Sequence, residues 1–306
     1  MVPTIYNQID SNRRKTIVLM IAFSLFIGVV VYVLVRALGY QGLGALSFVG
    51  LFLIISGLIN LSSYYWSDKL VLGLSGAKPI EKKDNPELFR TVENICIAAG
   101  LPLPKIYLID DPAANAFATG RDPKHAAVAV TNGLLQRLDD LELEGVIAHE
   151  LSHVKNYDSR LMSIVVVLVG LVAILADVFF RMMWWGRGGS SERRGSGILF
   201  LVLGIIAAIL APIVANLIKL AISRRREFLA DSSGALITRY PEGLANALIK
   251  ISADQATLKS ANNATAHLYI SNPFKGKEAK NWLVRLFSTH PPIEERVAAL
   301  KAMVVP

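Results

Sequence analysis

The chain has 306 residues, of which 53% are hydrophobic and only 18% charged, with a formal net charge of +8. Soluble domains carry about 25% charged residues, so the composition argues for a membrane protein. The basic balance lacks aromatic–basic interleaving and speaks against a nucleic-acid partner, and a single cysteine, Cys96, excludes an intrachain disulfide.

In chain order, Arg13, Arg14 and Lys15 precede an apolar run, and a second run follows almost at once. That pattern predicts a retained anchor and not a cleaved signal. Two spans over about 17–37 and 43–63 make residues 1–65 a transmembrane hairpin, each run reaching the ~20 residues that a spanning helix needs. Residues 66–159 are water-compatible. Asn85-Pro86-Glu87 reads as a helix start and Gly100 as its stop, so a helix is expected over 86–99. "KIYLID" (105–110), "NAFATG" (115–120) and "AAVAV" (126–130) read as three short strands, the last two joined through Gly120 and Pro123. Asp139 with Glu142 forms a capping-box pattern opening the helix over 145–157.

Residues 160–222 hold two further apolar segments, about 161–183 and 198–220, separated by the linker "GRGGSSERRGSG". The first carries the intramembrane candidate Asp177, for which no catalytic role is expected. Residues 223–306 are again water-compatible and mostly helical. The fold class expected is α+β, a small sheet among helices, with about four transmembrane helices. Near-membrane basic residues fix an orientation. Ten (Arg13, Arg14, Lys15, Lys69, Lys155, Arg160, Lys219, Arg224, Arg225, Arg226) share the side of the N-terminus, against four opposite (Arg36, Arg187, Arg193, Arg194), or five if Arg181 emerges. The two water-compatible pieces then lie in the cytoplasm.

The chemistry sits in His149-Glu150-Leu151-Ser152-His153. A spacing of four puts both imidazoles on one helical face, where they can grip one ion with Glu150 beside them. Zinc so held lowers the pKa of water to about 7, and the adjacent carboxylate can move its proton. A third ligand is required. The residues leave open His125, His267, His290, and the carboxylates of "SRRREFLAD" (223–231), where Glu227 and Asp231 are four apart. Glu227 can ligate, and Asp231, one turn on, can accept the other ring N–H of a ligand histidine.

"AHELSHVKN", "RRREFLAD", "NAFATG" and "STHPPIEERVAAL" together resemble, over essentially the whole chain, the signature stretches of the HtpX family. These are membrane-embedded zinc endopeptidases related to the CAAX prenyl endopeptidases. The resemblance implies a gluzincin-like domain and one Zn(2+) per chain, held by His149, His153 and Glu227, with Glu150 as catalytic base. It implies that Asp231 supports a ligand and that His290 and Arg296 lie near the active site, His290 with a catalytic role at the oxyanion. It places Asn115, Ala116, Phe117 and Ala118 on a substrate-binding edge strand. By resemblance the chain is a multi-pass protein of the inner (plasma) membrane, in contact with the lipid bilayer. Its active site would face the cytoplasm and act on membrane-protein or unfolded polypeptide substrates in quality control. Processing of one defined, lipidated substrate is an alternative, as is a non-catalytic metal-binding scaffold; a scaffold has no use for Glu150.

Overall fold

The computed structural model describes residues 5–37, 42–170, 224–259, 265–273 and 291–303. The segment over 198–220, the linker, Asp177 and His290 lie outside the described residues.

Helices α1 (Ile5–Ala37) and α2 (Gly42–Leu74) form an antiparallel-running hairpin. Both are long and apolar enough to cross a membrane, and among the described residues they are the two that are. Large apolar side chains such as Ile17, Ile21, Leu25, Leu46, Leu51 and Leu58 are exposed along them, a surface that lipid tolerates and water does not. Inside the hairpin, where packing alone distinguishes partner helix from lipid, Asn60 Nδ2 donates to Ser24 Oγ at 2.8 Å and to the Met20 carbonyl at 3.2 Å. Helix α2 continues to Leu74, past the boundary expected near residue 65, because nothing in "WSDKLVLGL" breaks it before Gly76 turns the chain at φ +65°.

Helix α3 (Pro86–Ala99) appears as expected. Asn85 caps it by accepting from Leu88 N–H, and Gly100 closes it in the left-handed conformation. Among the described residues the sheet has four strands, not three, in the order β1 (Lys78–Pro79), β2 (Lys105–Ile109), β4 (Ala126–Thr131), β3 (Ala116–Gly120). The extra strand is only two residues long and carries no sequence periodicity to find. β2 and β4 run parallel; β1–β2 and β3–β4 are antiparallel. The sheet is therefore mixed, and β3 is an edge among the described strands.

Both faces of the sheet are covered, by different materials. Ala116, Ala118, Val128 and Val130 face a core built with Leu88 and Val92 of α3 and with Val146 and Ile147 of α5 (Asp140–Lys155). Phe117, Ala127 and Ala129 face the other way. They pack on Leu19 and Phe23 of α1, Val71 and Leu72 of α2, and Leu161, Ile164, Val165 and Leu168 of α6, the helical stretch over 158–170. The period-two alternation thus sorts side chains between the layer of α3 and α5 and the hairpin layer.

A short helix α4 (Asn132–Arg137) leads to α5, whose capping box between Asp139 and Glu142 is complete in both directions. α7 (Arg224–Thr238), α8 (Pro241–Ala253) and α9 (Ile293–Lys301) finish the described fold. Helices α5 and α8 cross at Gly145, where an added Cβ would meet Leu244 N at 2.6 Å and Leu244 Cα at 2.8 Å. Backbone cannot yield as a side chain can. Gly145→Ala is expected to destabilise by about 1–3 kcal/mol, read as a lowered unfolding midpoint in detergent.

Candidate metal centre

The centre forms where α5 meets α7. Gly234 makes the approach possible, since a Cβ there would lie 3.1 Å from His149 N. His149, Glu150, His153, Glu227 and Asp231 are all buried. Charged groups are almost never fully buried unless paired, so the partners define the site.

Each imidazole is held from behind. His149 Nδ1 lies 2.9 Å from Asp231 Oδ1 and His153 Nδ1 lies 3.3 Å from Asp158 Oδ2. With Nδ1–H donating to a carboxylate, the Nε2 lone pairs point forward. They meet each other at 3.2 Å, and Glu227 oxygens stand 3.9 Å from His149 Nε2 and 3.5 Å from His153 Nε2. Three electron-rich atoms, all within 4.8 Å of one another, converge out of reach of water. Only a proton or a cation reconciles them, and two imidazoles with a carboxylate are the donor set of a catalytic divalent metal. Of the third-ligand candidates, the structure brings Glu227 to the site. His125 instead bonds Asp122 on the surface at 2.7 Å, and His267 lies against the Met162 carbonyl at 3.4 Å.

Burial pushes His149 down to about 4, against the opposing pull of Asp231. Burial also acts on His153, but its hydrogen bond to Asp158 and the nearby Glu227 carboxylate outweigh it and raise the group to about 9. The metal-free site therefore keeps a proton on His153, able to bridge to His149 Nε2. That contribution to stability is complete below the free histidine pKa of about 6.5 and is lost as pH rises through about 9. A metal must displace the proton. Calorimetric titration with zinc at pH 7.5, in two buffers of different ionisation enthalpy, is expected to show proton release on binding. Affinity should climb as pH rises toward 9. Binding without proton release would contradict this account.

Glu150 lies on the same turn of α5, with the backbone N–H of Ala118 bonded to its carboxylate; burial, reinforced by Glu227, pushes it up to about 8. Arg296 from α9 is fully buried and clasps Asp231 through Nε at 2.9 Å and Nη2 at 2.7 Å, with Glu227 3.7 Å from its Nη1. Burial works against its charge, but Asp231 overrides this and raises it; Asp231 is correspondingly lowered, Arg296 outweighing its own burial.

The strand residues are in place next to Glu150, with one change to their expected availability. The outward carbonyl of Ala116 accepts from Ile270 N–H at 3.0 Å, and Asn115 Nδ2 donates to the Ser271 carbonyl at 3.1 Å. The outward N–H of Ala118 is turned to Glu150. Phe117 stacks edge-on against Tyr269, 5.2 Å between centroids. Sequence reasoning missed Asp158 altogether. It lies five residues beyond His153, off the ligand face of any continuous helix, and reaches the ring only because the chain breaks at Tyr157.

Residues 82–304 match the family described as "Peptidase family M48". A "Protease HtpX homolog" of Caldanaerobacter subterraneus subsp. tengcongensis is 45% identical over 305 residues, covering 99% of this chain and 99% of that protein. One from Dictyoglomus thermophilum is 47% identical over 300 residues, covering 98% and 95%. The crystal structure of S. mikatae Ste24p superposes with a TM-score of 0.45 at 18% identity, covering 94% of this chain and 66% of that one.

Proposed function

Because this chain belongs to peptidase family M48, among the HtpX-like proteases, and is a metalloprotease, we propose that it is an integral-membrane, zinc-dependent endopeptidase of the cytoplasmic face. The observation that carries the reading is the buried convergence of His149, His153 and Glu227 beside Glu150. His149, His153 and Glu227 are the proposed zinc ligands, one ion per chain. Zinc, when bound, supplies Lewis acidity that polarises the scissile carbonyl and makes water acidic near neutral pH.

The rest of the chemistry belongs to the chain. Glu150 takes the proton of the attacking water and delivers it to the leaving amine nitrogen. The Ala118 N–H holds the Glu150 carboxylate in the orientation for both transfers. Asp231 and Asp158 fix the tautomers of the two histidines, and Arg296 neutralises Asp231 so that it stays an acceptor. His290 is proposed at the oxyanion by resemblance alone. Of the expected substrate edge over residues 115–118, Asn115 and Ala116 are already engaged by Ser271 and Ile270, so substrate backbone is proposed to run along the outer side of β3 from Phe117 and Ala118 onward.

The proposed substrates are membrane-protein segments and unfolded polypeptides, and the proposed task is quality control at the inner membrane. The two apolar helices support membrane insertion, and the sheet face packed on them supports a centre close to the bilayer. Digestion of casein and of a model membrane protein by the purified protein is the direct test. Activity should be lost with a chelator and return with zinc; chelator-resistant digestion would refute it. For orientation, a cysteine replacing exposed Lys83 should resist a membrane-impermeant thiol reagent in intact cells, while one at Gln41, between α1 and α2, should react. The reverse pattern would invert the topology.

A further inference from the structure

Asp158 has a partner that comes from outside the protease layer. Helix α5 ends at Lys155, Tyr157 adopts φ 60°, and the chain restarts as α6. A side chain with a Cβ rarely takes that conformation, and here it turns Asp158 back toward the metal helix. The Asp158 carboxylate, 1% exposed, accepts from His153 Nδ1 on Oδ2. Its other oxygen accepts from Asn12 Nδ2 at 2.7 Å, with Arg226 Nη1 at 3.4 Å. Asn12 is equally buried and donates a second bond to the Asn156 carbonyl at 2.9 Å, spanning the turn. One residue on, Arg13 stacks over the Tyr157 ring at 4.8 Å and donates to its hydroxyl at 3.2 Å. Asn12 belongs to α1, within the candidate span Asp10–Val33, and precedes the part of the chain that matches the peptidase family, residues 82–304.

We infer that Asn12 is a positioning residue of the metal centre: it locks the Asp158 carboxylate, and through it the His153 imidazole, so that the first membrane helix is a working part of the site. A carboxylate held only by the ring it supports can rotate. Two donors on its far oxygen fix its plane, and the ring that bonds the near oxygen inherits that orientation. The inference rests on His153 being a ligand. Asn12 carries no charge and does not reach the ligand atoms, so its influence must pass through Asp158.

The full-length protein in detergent, stripped of metal, is titrated with zinc against a chromophoric chelator. Asp158→Asn is expected to weaken zinc about 10–100-fold, and Asn12→Ala about 10-fold, the low end of the range for such supporting contacts. Asn12→Leu, which keeps the volume and loses the donor, should match Asn12→Ala and serves if the smaller residue prevents folding. The effect of either Asn12 variant should vanish in an Asp158→Asn background. A residue that merely docks α1 would instead add its cost in both backgrounds. Unchanged zinc affinity in a folded Asn12 variant, or an effect that persists undiminished with Asp158→Asn, overturns the inference. His153→Ala separates the two readings. If it loses zinc while the Asn12 variants do not, only this inference fails; if it binds zinc like the parent, the ligand assignment fails.

Discussion

Glu150→Gln is expected to abolish peptide hydrolysis while leaving the metal in place. The carboxylate is buried at the foot of the site, bonded by the Ala118 N–H, and is not one of the three convergent donors. An amide of the same shape keeps that hydrogen-bonding position but cannot take a proton. General base catalysis contributes about 10²–10⁴-fold, and in the proposed mechanism the same group also protonates the leaving amine, so the loss should lie at or beyond the upper end. His149→Ala, His153→Ala and Glu227→Ala should lose metal and activity together. Zinc stoichiometry and kcat/KM measured on the same preparations separate the two classes. A Glu150→Gln protein with near-parental turnover would remove Glu150 from the mechanism.

The largest expected effect on stability is at Arg296, which is fully buried and bonded through two nitrogens to an equally buried Asp231. Arg296→Ala leaves a carboxylate without its counter-charge at the back of His149. Removing one partner of a buried pair costs about 3–5 kcal/mol, a large share of a marginal folding free energy. Arg296→Lys should recover little, because an ammonium cannot reproduce the planar two-nitrogen clasp. Unfolding midpoints in detergent, with and without zinc, would report the loss. A midpoint for Arg296→Ala equal to that of the parent would mean that Asp231 is neutral or otherwise compensated.

The chemical core of this protein was legible along the chain because it is local. Two histidines four apart lie on one helical face whatever the rest of the fold does, and Asn85, Gly100 and the Asp139–Glu142 box act within a turn of where they stand. The apolar runs likewise announce α1 and α2 by composition alone, and the alternation in β3 and β4 sorts side chains between two faces without saying what covers them. The alternatives for the third ligand show where such reading stops. Three histidines and the carboxylates of "SRRREFLAD" were compatible with the residues, resemblance chose Glu227, and the packing of α7 on α5 at Gly234 brings it to the ring nitrogens.

Asp231 behind His149 was still within reach of sequence spacing; which other groups support the site, and through which atoms, only the tertiary structure decided. Asp158 reaches His153 through a left-handed break at Tyr157, Asn12 reaches Asp158 across 146 positions, and Arg296 reaches Asp231 across 65. The engagement of the Ala116 carbonyl by Ile270 also depends on a distant segment folding back onto the edge strand. Helical periodicity and capping are set by neighbours a few residues away, so a sequence expresses them directly. Hydrogen bonds between remote polar side chains form only where packed apolar layers bring them together and exclude water, and no spacing along the chain encodes that meeting.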